Sequence, residues 1–183
     1  MDCLLCAKYP LNQSAVRGIC LRSGYSEPEF DGEAKARFSI AETSSEDLLK
    51  SLSSIISESY PLGILVTGAK GQFALDLSEG ALKHFPNQVC FADEVILRDT
   101  IFGSFSFYPK LLSYFSLARP EWVKSGIAYL EHHSKKEAAD SLYLHRNSLL
   151  YRLNKLKEAT GIDIDFAHDA LLLLIYSSLN VRA

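Results

Sequence analysis

The segment His145 to Gly161, reading HRNSLLYRLNKLKEATG, gathers the side chains in this chain best suited to reading a nucleic acid. Leu149, Leu153 and Leu156 recur at i, i+4 and i+7, so a 3.6-residue period places them on one side of a helix, where they can be buried. Asn147, Tyr151 and Asn154 then face the opposite way, with Ser148, Arg152 and Lys155 nearer the flanks. Asn and Arg can form paired hydrogen bonds to base edges, and Ser, Tyr, Lys and Arg are ordinary partners of phosphate. The spacing predicts a recognition helix over about residues 146–158. With the residues just ahead of it, the candidate DNA contacts are Lys135, His145, Arg146, Asn147, Ser148, Tyr151, Arg152, Asn154 and Lys155.

Such a helix has to be held by others. Ser134 to Leu142 reads as a shorter helix with Ala138, Ala139 and Leu142 inward, small enough for a second helix to cross closely. Only Tyr143, Leu144 and His145 intervene, and a connection of that length is the helix-turn-helix spacing, with Leu144 plugging the corner. The competing reading of an amphipathic pair is a helical hairpin whose polar face is simply hydrated. Upstream, Pro120 to His133 predicts a supporting helix that presents Trp122, Val123, Ile127 and Leu130. Downstream, Gly161 is placed to end the recognition helix. Ala167 to Asn180, with Leu171, Leu172, Leu174, Ile175 and Leu179, is too apolar to stand alone.

Ala138-Ala139, Leu142, Leu144 to Leu149, Tyr151-Arg152-Leu153 and Thr160 to Asp163 together resemble the C-terminal helix-turn-helix of the PucR/CdaR class of bacterial transcription regulators, itself similar to the Fis-type DNA-binding unit. The resemblance covers about the last third of the chain. It implies sequence-specific binding to double-stranded DNA as a dimer or higher homo-oligomer. One departure is Leu150, at a position commonly basic in that class.

Charge follows the same division. The 183 residues carry 19 Lys and Arg against 22 Asp and Glu, net −3, which excludes a generally adhesive nucleic-acid binder. Between Ser134 and Glu158, however, Lys135, Lys136, Arg146, Arg152, Lys155 and Lys157 face only Glu137, Asp140 and Glu158, a local net of +3. The opening residues lack the basic and apolar regions of a signal peptide, and the apolar run Ala170 to Tyr176 is far short of a membrane span, so a cytoplasmic location and no membrane partner are expected. Cys3, Cys6, Cys20 and Cys90 suit reduced thiols. The Cys3-x-x-Cys6 pair lacks the further ligands of a zinc site and is read as buried small residues, so no metal or cofactor is expected.

Gly63 to Lys70 nearly spells a phosphate-binding loop. Ala69 separates Gly68 from Lys70, and Gly71 stands where a magnesium-binding hydroxyl is needed, so the glycines are read instead as positive-φ turn residues. No other spacing nominates catalytic residues, and no enzyme is expected.

The fold class expected is α+β, a small N-terminal α/β region followed by an all-helical helix-turn-helix domain. Strands are predicted at Val16 to Arg22 and Ala34 to Ile40, with Gly24, Pro28 and Gly32 marking a loop between them. An amphipathic helix is predicted from Thr43 to Ser59, opened by a Thr43–Glu46 capping box. A β-hairpin is predicted from Leu62–Thr67 and Gln72–Leu77, then a short helix from Ser78 to His84 and a strand from Gln88 to Ala92. Domains are expected at 1–100, an α/β region with a sensing or dimerisation role, and at 120–183, the DNA-binding domain. Residues 101–119 form a connector rich in aromatics, among them Phe102, Phe105, Phe107, Tyr108, Tyr114 and Phe115, read as core rather than as a dimer interface. The sequence names no small-molecule effector. The second functional reading is a protein-interaction module that keeps the helical fold without DNA binding.

Overall fold

A computed structural model describes residues 1–41, 44–56, 61–132 and 134–180. The chain divides into a sheet unit, Met1–Thr67 with Ala74–Ser104, and a helical unit, Gly68–Phe73 with Phe105–Ala183. The class is α+β, a five-stranded sheet with helices followed by a helical region.

The sheet unit is built on two strands, β1 (Asp2–Ala7), buried from Cys3 onward, and β4 (Leu62–Thr67), buried throughout. They pair antiparallel with Leu4 opposite Leu65. β3 (Lys35–Ser39) lies antiparallel on the other side of β1, β2 (Glu29–Asp31) pairs antiparallel with β3, and β5 (Val89–Phe91) runs parallel to β4. The order is therefore β2-β3-β1-β4-β5. Strand alternation sends Cys3, Leu5, Ile64 and Val66 into one core with Val16, Ile19 and Cys20 of α1 (Gln13–Ser23) and Leu48 and Leu52 of α2 (Ser45–Leu52). Cys3 and Cys6 thus sit on opposite faces of β1, so their thiols do not converge on one metal ion. All four thiols are free and buried, and burial pushes the Cys90 thiol up to about 12.

Several elements differ from the sequence expectation. Val16 to Arg22 is helical: Val16, Ile19 and Cys20 are buried at helical spacing, Asn12 Oδ1 accepts from Ala15 N–H at 3.1 Å, and Gly24 ends the helix at φ 70°. The predicted hairpin is absent, because Gln72 to Leu77 opens α3 (Gly71–His84), which continues through the segment expected as a short helix. Its buried residues Ala74, Leu77, Ser78 and Ala81 repeat every three to four positions, a period that overrides the apparent alternation of 72–77. The loop between Gly24 and Gly32 contains β2, and β1 lies in a stretch that carried no predicted element. Thr43 lies outside the described residues; α2 is capped instead by Ser44, whose Oγ accepts from Asp47 N–H at 3.1 Å, and it ends at Leu52. Beyond β5, α4 (Ala92–Ile101) completes the unit, with Phe91 N–H donating to the Glu94 carboxylate at 2.9 Å.

The three glycines of the near phosphate-binding loop serve different purposes. Only Gly71 has positive φ, at 63°. Gly63 lies within β4, where an added Cβ would stand 2.4 Å from the backbone nitrogen of Leu82 in α3. That contact is backbone against strand, with no flexible side chain to yield. Gly63→Ala is expected to destabilise the sheet unit by about 1 to 3 kcal/mol through overpacking. A denaturant midpoint equal to the parent's would show that α3 can lift off β4 at no cost.

Candidate nucleic-acid interface

In the helical unit, α5 (Tyr108–Phe115) and α6 (Pro120–His132) precede α7 (Lys135–Ser141), α8 (Arg146–Thr160) and α9 (Ala167–Asn180). Pro109 and Pro120 occupy first turns, where a missing N–H costs nothing. The connector aromatics divide: Phe107, Tyr114 and Phe115 are buried, while Phe102 and Phe105 are exposed. The inward side of α6 is Val123, Ser125, Gly126 and Ala128, whereas Trp122, Ile127 and Leu130 are only half-buried. Gly126 lets α6 lie close to its neighbours, since a Cβ there would be 2.8 Å from Leu173 and 2.9 Å from Leu156.

Ser134 caps α7, its Oγ accepting from Glu137 N–H at 3.1 Å. Ala138 and Ala139 then pack against Leu149 and Leu153 of α8, with Tyr129, Leu142, Leu144 and Ile164 closing the cluster. Leu156 and Thr160 extend the buried seam to the end of α8. Rotation about the helix axis is thereby set, and it leaves Arg146, Asn147, Ser148, Tyr151 and Asn154 exposed on the far face. Arg152 and Lys155 are half-buried on its flanks.

Three predicted contact residues also have partners inside the chain. His145 is the N-cap of α8, its Nδ1 accepting from Asn147 N–H at 3.2 Å, which leaves only the Nε2 edge outward. Lys155 donates to Glu158 at 2.6 Å and lies over the Tyr151 ring; the hydrogen bond to Glu158 raises its pKa. Lys135 stands 5.6 Å from the Tyr129 ring centroid and 4.0 Å from the Asp165 carboxylate. Lys157 is likewise held, donating to Asp163 at 2.5 Å. Partial burial works to raise the Asp163 carboxyl, but that hydrogen bond from Lys157 and one from the Asp165 backbone outweigh it and hold it below its ordinary value. Of the six cations between Ser134 and Glu158, Lys136, Arg146 and Arg152 have no ion pair among the described residues. Lys136, exposed on α7, was missing from the sequence-derived contact set. Its only signal there was its sign.

The C-terminal end of α8 is pinned. Gly161 ends it at φ 79°, and an added Cβ there would fall 1.9 Å from the Gly68 carbonyl oxygen. The Tyr114 hydroxyl donates to the Thr160 carbonyl while accepting from Lys70 N–H at 3.1 Å. Asp169, buried at the start of α9, accepts from Asp163 N–H at 2.9 Å.

A short helix, a tight turn and a longer helix with an exposed polar face, braced from behind by a third, make up the arrangement from α6 to α8. Residues 127–177 match the PucR C-terminal helix-turn-helix domain. The matched stretch begins within α6 and ends within α9, so it takes in parts of both bracing helices as well as the whole of α7 and α8. Over its whole length the chain is also similar in fold to the crystal structure of a regulator of polyketide synthase expression from Bifidobacterium adolescentis, with a TM-score of 0.51 at 20% identity, covering 100% of this chain and 80% of that one. None of the curated proteins matches the chain significantly. No helix among the described residues is long and apolar enough to cross a membrane.

Leu153, 9% exposed, sits at the centre of the seam that orients α8. Leu153→Ala should open a cavity and lower stability by about 2 to 5 kcal/mol. An unaltered unfolding midpoint would mean that the seam does not hold the helix.

Proposed function

We propose that the chain is a DNA-binding transcription regulator that lays α8 in the major groove and acts as a dimer or larger homo-oligomer in the cytoplasm. The observation that carries this reading is the exposed face of α8, where Arg146, Asn147, Ser148, Tyr151 and Asn154 stand together on a helix whose other side is locked by leucines. The PucR-type domain and the fold shared with a polyketide synthase expression regulator support it. Arg146 and Asn147, in the first turn, are positioned to read base edges, since recognition helices use their N-terminal residues for this. Ser148, Tyr151, Asn154, Arg152 and Lys136 extend the footprint to neighbouring bases and phosphates, while His145, Lys135 and Lys155 line its margins. The sheet unit takes the sensing or dimerisation role.

One helix-turn-helix reads few base pairs, and the three cations of α7 and α8 that have no ion pair among the described residues give one subunit little purchase on phosphate. Two copies about one DNA turn apart, roughly 34 Å, supply both length and charge. If Lys136, Arg146 and Arg152 each displace a counterion, the logarithm of affinity should fall with the logarithm of salt at a slope of about −5 for a dimer and about half that for a monomer.

Duplexes selected by the purified protein from a randomised pool, titrated at several salt concentrations, test this directly. Paired half-sites and the steeper slope are expected, and Arg146→Ala should weaken the preferred duplex by about 1 to 3 kcal/mol while leaving the unfolding midpoint unchanged. A protein that enriches no duplex would instead be a protein-interaction module that kept the helical fold, the reading suggested by Leu150 on α8 and the modest local charge.

A further inference from the structure

Among the described residues three non-glycines hold positive φ: Asn87, Phe105 and Tyr143. That region is costly for any residue with a Cβ, and asparagine tolerates it best. Asn87 fits the rule and is compensated locally, its Oδ1 accepting from Leu62 N–H at 2.9 Å and its own N–H donating to the Leu62 carbonyl at 2.7 Å. Phe105 rests its ring on Tyr108, with centroids 5.5 Å apart. The Tyr143 side chain has no such partner among the described residues. Its φ is 55°, the residue is 97% exposed, and among the described residues no hydrogen bond reaches its hydroxyl and no ring lies against it.

The backbone there has a clear task. Tyr143 N–H donates to the Asp140 carbonyl at 3.1 Å and Leu144 N–H to the Ala139 carbonyl at 2.8 Å, the paired bonds that reverse the chain after a helix through a left-handed residue. Glycine serves that position with least strain. The tyrosine side chain adds nothing to the turn and nothing to the core, so its presence calls for a partner outside the folded chain.

We infer that Tyr143 contacts DNA, its hydroxyl donating a hydrogen bond to a backbone phosphate at the lip of the groove that α8 enters; this rests on the DNA-binding reading above. Tyr143 lies three residues ahead of Arg146 and outside the helix. When the first turn of a recognition helix points into the groove, a side chain projecting from the preceding turn meets the sugar–phosphate strand before any base edge. A phenol is a suitable neutral donor to phosphate oxygen, and such a contact positions the protein without reading sequence.

Tyr143→Phe and Tyr143→Gly, each in the full chain, separate this contact from a role in the turn. Both should bind the duplex selected by the parent about tenfold more weakly, the loss of one hydrogen bond to a charged acceptor. The factor should be the same at low and high salt, because no charge is removed, and the same on duplexes with altered bases. Tyr143→Gly should meanwhile raise the unfolding midpoint by relieving the left-handed strain, so weaker binding by a more stable protein is the signature. A purely structural residue would give the opposite, a glycine variant that binds at least as well. Parent-like affinity in both variants overturns the contact, and loss in the glycine variant alone overturns the hydroxyl as donor. A parent protein that selects no duplex overturns the DNA-binding reading itself, and the inference with it, whatever the variants do.

Discussion

The orientation of α8 rests on one packing interaction, the fit of Leu149 and Leu153 against Ala138 and Ala139, continued by Leu156 toward α6. A helix turns about 100° per residue, so a slip of one position would carry Asn154 and Lys157, or Arg152 and Lys155, into the core and turn leucines toward solvent. The alanines allow the two helices to approach closely, and the leucines fill what remains. Translation along the axis is blocked at the far end, where Gly161 passes too close to the Gly68 carbonyl for any side chain and Tyr114 holds the Thr160 carbonyl. Everything exposed on the outer face of α8 follows from these two restraints.

Electrostatics then limits what that face can do. The segment from Ser134 to Glu158 has a net charge of +3, yet Lys135, Lys155 and Lys157 each lie beside a carboxylate of the same unit. Exposed pairs of this kind contribute little to stability. Their effect is to lower the local field; on the DNA-binding reading proposed above, attraction for phosphate then falls to Lys136, Arg146 and Arg152, and polar groups such as Asn147 and Asn154 carry proportionally more of the recognition.

Local patterns made the helical unit legible in the sequence. The seam of α8, the short helix ahead of it, the three-residue turn and the Gly161 stop are encoded within about one or two helical turns of chain, and each survived into the structure with small shifts in boundary. The sheet unit was less legible. Val16 to Arg22 and Gln72 to Leu77 are short apolar stretches in which a two-residue and a 3.6-residue period cannot be told apart, and what resolved them lay outside the window: Asn12 and Gly24 in one case, the continuation to Ala81 in the other. β1 has no alternation to detect because it is covered on both faces.

The sequence by itself determined that a short helix, a tight turn and an amphipathic helix follow one another between residues 134 and 161, and which residues form the apolar seam and the polar face, because helical periodicity is a property of nearest neighbours along the chain. Only the tertiary structure decided which cations on that face are already engaged. The pairing of Lys157 with Asp163 and of Lys135 with Asp165 spans the bend after α8, and residue spacing says nothing about where that bend returns. The same holds for the strand order β2-β3-β1-β4-β5 and for the need for glycine at positions 63 and 161. Each is set by what lies across a gap of a few ångströms between segments distant in sequence, and that distance is created by folding.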